Sequence, residues 1–188
     1  MDTIEIIAQA IGILGMIANF LSFQQKTQKK VVAFQFFSAL LFGINYLMLK
    51  AYMGALLNAI GVIRAIVFVN REKLKADHIG WLIFFIIAFG SSYPLVFTVF
   101  KKEPTPINLI IELLPVIAMI IATISYRYTK AKDIRRFGVF SSPMWLIYNC
   151  FCFSIGAIIS EILNLISIII GIIRFDLKKE QKSEKADS

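Results

Sequence analysis

The stretch Leu56-Leu57-Asn58-Ala59-Ile60-Gly61-Val62-Ile63-Arg64, LLNAIGVIR, lies inside an apolar run that extends from residue 52 to residue 69. At a helical rise of about 1.5 Å per residue such a run is about 27 Å long, close to the ~30 Å hydrocarbon thickness of a bilayer. An amide and a guanidinium inside it therefore need a polar surface to face.

Six more runs of similar length flank this one, at 4–23, 31–49, 79–100, 107–126, 137–153 and 155–175. Apolar residues make up 58% of the chain, against about 45–50% in an ordinary soluble domain, and mean hydropathy is +0.74. A water-soluble globule is excluded, and the expected fold is an all-α membrane protein with seven transmembrane helices. The partner of such a chain is the lipid bilayer.

The net charge of +8 does not indicate a nucleic-acid partner, because the basic residues lie between the spans and form no face of a soluble fold. Lys26, Lys29 and Lys30, then Arg71, Lys73 and Lys75, then the cluster at 127–136 and the tail from Arg174 fall on one side of the membrane. That side holds sixteen basic residues, and the other holds only Lys50, Lys101 and Lys102. The positive-inside rule then places the N-terminus outside and the C-terminus inside. The opening Met-Asp-Thr-Ile-Glu lacks a basic n-region and no small-residue cleavage site follows, so the first span is expected to stay in the protein. Cys150 and Cys152 are too close in sequence for easy disulfide geometry and too few for structural zinc; they read as packing thiols. His78, the only histidine, reads as a solvated loop residue.

Spans and loops follow a 3 + 1 + 3 order. Residues 13–72 slide without a gap onto 115–174, an offset of 102, and superimpose Thr27 on Thr129, Lys30 on Lys132, Tyr46 on Tyr148, Gly54 on Gly156 and Ala55 on Ala157. The coincidence of span boundaries carries the repeat more than the identities do. Two halves separated by one span run in the same direction, a parallel repeat of the kind transporters use, with the site between the halves near the midplane. The expected units are a first triple-helix bundle over 1–76, a linker helix over 77–104, a second bundle over 105–175 and a disordered cytoplasmic tail over 176–188, whose polar composition cannot order itself.

Charged groups inside a bilayer are costly, about 2.5–3.5 kcal/mol each at the helix centre on insertion scales, so each one is a candidate functional residue. Glu112 and Glu161 are too short to reach the headgroups and should face the bundle interior. Arg64 has two options, snorkelling to the inner headgroups or pairing with Glu161. Asn45, Asn149, Asn164, Asn19, Gln9 and Gln35 supply amides, either as interhelical hydrogen bonds or as the lining of a polar cavity. Trp145 lies too deep for the interfacial belt, and an aromatic plate beside amides suits a sugar or a heterocycle. Asn58 is the amide at the depth of Glu161. The sequence carries no phosphate loop, HExxH or catalytic triad, so an enzyme is not expected, nor is a cofactor or a metal site.

The 3 + 1 + 3 order, Asn58-Ala59-Ile60-Gly61 on span three and Trp145-Leu146-Ile147-Tyr148 on span six resemble the MtN3/SWEET and PQ-loop group of transporters. Over nearly the whole chain the sequence resembles the bacterial inner membrane protein YgjV family of the same structural group. The first resemblance implies SWEET-like bundles that rock about a cavity in which a Trp and an Asn from each half grip a solute. By position Asn58 is the first-half Asn and Trp145 the second-half Trp. The second-half Asn falls at Ser160 by the internal offset or at Glu161 by its spacing from Trp145, and Gly43 stands in the first-half Trp position. The PQ dipeptide is replaced by Phe23-Gln24-Gln25 and, in the second half, by Ser125-Tyr126-Arg127.

The expected function is transport of a small polar solute, a sugar among the candidates, across a bacterial inner membrane by alternating access. The site residues are Asn58, Trp145, Glu161, Ser160, Asn45 and Asn149, with Arg64 and Glu112 as candidate coupling or ion-pair groups. A Pnu-like vitamin or nucleoside facilitator and a non-transporting membrane scaffold or sensor are the alternatives. Self-association into a homo-oligomer stays open.

Overall fold

A computed structural model describes residues 3–23, 28–128 and 131–173. Among them every regular element is helical: α1 (Thr3–Phe23), α2 (Gln28–Met48), α3 (Tyr52–Val69), α4 (Arg71–Leu74), α5 (Ile79–Thr98), α6 (Pro106–Ser125), α7 (Ala131–Phe151) and α8 (Ile155–Gly171). Each apolar run of the sequence falls on one long helix, and α4 is a single turn in the loop after α3. The tail over 176–188, Gln24-Gln25, the loop residues Lys26 and Lys130, and the matched pair Thr27 and Thr129 lie outside the described residues.

Helix boundaries follow from local chemistry. α5 starts after His78, whose Nδ1 accepts the Gly80 N–H at 3.0 Å. The exposed histidine thus satisfies a first-turn donor that the helix itself cannot. α6 starts after Thr105, whose Oγ1 accepts the Asn108 N–H at 3.2 Å. Pro106 follows at the first helical position, where its missing N–H is no loss.

α2 and α7 end alike, at a spacing one residue longer than the offset read from the sequence. Lys50 and Phe153 adopt left-handed φ values of 58° and 52°. The next N–H reaches back five residues, from Ala51 to the Tyr46 carbonyl at 2.8 Å and from Ser154 to the Asn149 carbonyl at 3.2 Å. This is the Schellman ending of a helix, and α3 and α8 restart one residue later, at Tyr52 and Ile155. Equivalent residues of the two turns are 103 apart (50 to 153, 51 to 154, 52 to 155), not 102. A slip of one residue turns a side chain by about 100° around its helix. The identities Tyr46/Tyr148 and Gly54/Gly156 are therefore not structural equivalents. The same spacing pairs Asn58 with Glu161 instead of Ser160, and Trp145 with Phe42 instead of Gly43.

In the tertiary arrangement α1 packs on α2, α2 on α3, α3 on α6, α6 on α7, α7 on α8, and α8 returns to α1. Six helices close a ring, and α5 stands outside it against α3 and α6. The ring closes where Gly156 lies so close to the Gly12 backbone that no side chain fits between them, the small-residue contact by which membrane helices approach. Gln9 spans the same seam, donating to the Phe153 carbonyl at 2.7 Å and accepting the Ile155 N–H at 2.9 Å.

The outer face is apolar, with Ile6, Leu14, Phe37, Leu47, Ile63 and Ile166 exposed, a surface that water opposes and hydrocarbon accommodates. α1, α3, α5 and α6 are each long and apolar enough to cross a membrane, and Val32–Met48 and Ile155–Ile170 are shorter apolar stretches. α7, which carries most of the expected span 137–153, is in neither group among the described residues. Its Ser141, Ser142, Trp145 and Asn149 line the interior of the ring, so much of its polarity is turned away from lipid.

Candidate functional site

Inside the ring lies a cavity of about 760 Å³, within the ~300–1,000 Å³ usual for small-molecule sites. All six ring helices line it: Asn19 from α1, Phe42 and Tyr46 from α2, Asn58 and Arg64 from α3, Met119 from α6, Trp145 and Asn149 from α7, Ser160 and Glu161 from α8. α5 contributes none of the described lining residues. The lining repeats at the spacing of the turns, with Ser38/Ser141, Phe42/Trp145, Tyr46/Asn149, Asn58/Glu161, Gly61/Asn164 and Arg64/Ser167 all 103 apart. Residues of α2 and α3 and, 103 positions on, of α7 and α8 line the same space.

Toward the α2–α3 and α7–α8 turns, aromatic rings end the cavity. Tyr46 stacks on Trp145 with centroids 6.1 Å apart and meets the edge of Tyr148 at 6.0 Å. The Tyr46 hydroxyl donates to Asn149 Oδ1 at 2.5 Å. Behind this layer the buried Tyr148 hydroxyl accepts the Gly54 N–H at 2.8 Å. A donor in the first turn of α3, orphaned by helix geometry, is thus satisfied by a side chain from α7. Gly54 must lack a side chain here, since a Cβ would lie 2.7 Å from the Tyr46 ring.

In the middle, Asn58 donates to the Gly54 carbonyl of its own helix at 2.8 Å and is only half-buried. Its carbonyl oxygen faces no described donor within hydrogen-bonding distance. Glu161, also half-buried, has Asn164 Nδ2 at 3.5 Å from Oε2 and Ser142 within hydrogen-bonding reach. Ser160 accepts from Asn19 Nδ2 at 2.8 Å, which ties α8 to α1.

About 9 Å further along α3, the length of six residues, is Arg64, 8% exposed. Its Nη1 donates to Thr123 Oγ1 at 2.8 Å and to the Met119 carbonyl at 3.3 Å. The guanidinium carbon lies 4.7 Å from the Tyr126 ring centroid and 5.6 Å from that of Phe89. Tyr126 in turn donates to Gln35 Oε1 at 3.0 Å.

Several expected residues take other positions. Asn45 does not reach the cavity: fully buried, it donates to the Ala8 carbonyl at 2.7 Å and accepts from Ser154 Oγ at 2.6 Å. It fixes α2 against α1 and the α7–α8 turn. Glu112 is also absent from the lining; it pairs with Lys102 of the α5–α6 loop and is buried behind that lysine. Arg64 neither snorkels nor pairs with Glu161, because α6 holds it through Thr123 and Met119. Cys150 and Cys152 are free thiols; Cys152 is half-buried, but Cys150 is exposed and does not pack inside the protein. Phe42, Tyr46, Ser142 and Thr123 were missed as site residues. An offset of 103 tested on Trp145 would have pointed to Phe42.

A family model described as Imp-YgjV, bacterial inner membrane protein, matches residues 6–179 of the chain. No curated protein and no solved structure matches it.

Proposed function

Because the chain belongs to this family of bacterial inner membrane proteins, we propose that it carries a small polar solute across the inner membrane through the six-helix cavity. One observation carries the reading: polar and aromatic positions from two three-helix groups, spaced by 103 residues, converge on a single space large enough for a small molecule. A water-excluding packed core would not place Asn58, Glu161, Asn164 and Ser142 around a void. The resemblance to SWEET transporters supports the same reading, with α1–α3 and α6–α8 as rocking units and α5 as the link between them. Seven spans with the N-terminus outside are part of the proposal. In that orientation the layer of Tyr46, Trp145 and Tyr148 seals the outer end, and movement of α3 against α7 would open it.

Two aromatic lining residues, Phe42 and Trp145, each in ring contact with Tyr46 at 6.2 Å and 6.1 Å, favour a planar ring as solute body. A vitamin or nucleoside therefore stands as a second reading beside a sugar. The proposal involves no catalysis; His78 caps α5 away from the cavity.

Uptake of labelled sugars, nucleosides, vitamins and amino acids into proteoliposomes tests the function. At least one class should enter, and Asn58→Ala and Trp145→Ala should reduce its uptake while the protein stays folded. Folded protein that moves no member of the panel would refute transport and leave a scaffold or sensor. A cysteine placed at Tyr128, between α6 and α7, that reacts with an impermeant reagent from outside would refute the orientation.

A further inference from the structure

We infer that the cavity holds a subsite for the anionic group of its solute, a carboxylate or a phosphate ester, formed by the Arg64 guanidinium. The inference rests on the transport reading for the cavity's role, and adds the charge of what it takes. Arg64 is among the cavity-lining residues and is more than nine-tenths buried. Its described partners are all formally neutral: the Thr123 hydroxyl, the Met119 carbonyl and sulfur, and the faces of Tyr126 and Phe89. Among the described residues it forms no ion pair; the ion pairs there join Lys102 to Glu112 and Arg71 to Asp77.

A guanidinium stays charged at any physiological pH, and a buried charge without a counter-ion is unfavourable unless something compensates it. Carbonyl, hydroxyl and ring faces compensate in part and also fix the orientation of the group. Those bonds use Nη1 and, toward sulfur, Nη2. With five N–H donors in a planar fork, the group still has donors to offer a carboxylate or phosphate oxygen. Glu161, on α8, lies at the level of Asn58 by the 103 spacing, about 9 Å nearer the aromatic layer, so an anion at Arg64 is not forced against it. The solute body would then extend from Arg64 toward Asn58, Phe42 and Trp145.

The test uses matched probes on the purified, full-length protein. Binding of benzoate, phenyl phosphate, benzamide and benzylamine is followed by fluorescence of Trp145, in a Trp81→Phe background that leaves it as the one tryptophan. Benzoate or phenyl phosphate should bind at least about tenfold tighter than benzamide, a difference of about 1.4 kcal/mol. Whichever of the two binds tighter identifies carboxylate or phosphate as the preferred group. Arg64→Gln should bring anion and amide within about twofold, and Arg64→Lys should retain part of the preference. If Arg64→Gln does not fold, the probe ratio of the Trp81→Phe protein alone decides. Equal binding of benzoate, phenyl phosphate and benzamide, or preference for benzylamine, overturns the inference. The same probes and their neutral analogues are then offered to proteoliposomes. Uptake of neutral solutes with no anion preference defeats the subsite and leaves transport standing; anion-selective binding without uptake of any solute defeats transport and leaves the subsite standing.

Discussion

Asn45→Ala should destabilise the protein, and Asn58→Ala should not, although both are asparagines within apolar runs. Asn45 makes two bonds between elements, to the Ala8 carbonyl at 2.7 Å and from the Ser154 hydroxyl at 2.6 Å. Interhelical hydrogen bonds in membranes contribute about 0.6 kcal/mol on average and up to about 1.7 kcal/mol, so the pair contributes about 1–3 kcal/mol. Removing the amide also leaves the buried Ser154 hydroxyl without this acceptor and opens a small void, both in the same direction. Asn58 makes one bond, within its own helix, and lines the cavity, and its loss should stay within about 0.5 kcal/mol. At about 1.4 kcal/mol per factor of ten, Asn45→Ala lowers the folded-to-unfolded ratio roughly five- to hundredfold. Reversible unfolding by SDS in mixed micelles, followed by circular dichroism, measures both variants. Equal stability of the two, or a greater loss at Asn58, would refute the division of the amides into structural and cavity-facing sets.

Other substitutions probe the register and the seams. Phe42→Ala should weaken binding of an aromatic probe about two- to tenfold, the worth of one aromatic contact, whereas Gly43→Ala should be tolerated, its Cβ meeting Asn58 Cβ at an ordinary 3.5 Å; an effect at residue 43 alone would restore the offset of 102. Gly54→Ala drives a Cβ to 2.7 Å from the Tyr46 ring and should cost about 1–3 kcal/mol by overpacking. Gly156→Ala meets backbone instead of a movable ring and should lower the melting temperature further; the reverse order in thermal melts would contradict the α1–α8 seam. In the loop after α4, the Arg71 side chain, donating from Nε at 2.9 Å, holds the Asp77 carboxyl below the usual carboxylate range. A depressed carboxyl stabilises above its unfolded pKa of about 3.9 and loses that contribution as pH falls through the folded value. The stability difference between the protein and Asp77→Asn should therefore be small, because the pair is exposed, and should vanish in acid. A difference that grows in acid would show that the sign is wrong.

How legible the site was depended on how far each residue's role reached along the chain. Trp145 and Asn58 stood out because a large ring and an amide are unusual at their depth, and both line the cavity. Glu161 stood out for the same reason, but its equivalence to Asn58 required the turn geometry. Asn45 had the same local signature as Asn58, and only its partners on α1 and before α8 distinguish it. Arg64 left two options open because the sequence does not reveal that Thr123 and Met119 of α6 meet it.

The sequence by itself determined the helices, their lengths and their apolar surroundings, because these depend on hydropathy summed over neighbouring residues. The offset of 102 read from it rests on a few identities, and identities among Ile, Gly and Tyr in so apolar a chain discriminate poorly between adjacent offsets. The tertiary structure shows two like Schellman turns, at Lys50 and Phe153, spaced by 103 residues instead. It also decided which faces meet inside the ring, and so which polar residues are joints and which line the cavity. Those are contacts between residues more than a hundred positions apart, such as Tyr46 with Asn149 and Asn19 with Ser160. No local pattern encodes them, because a rotation of about 100° per residue lets a single-position error exchange a lining side chain for a buried or lipid-facing one.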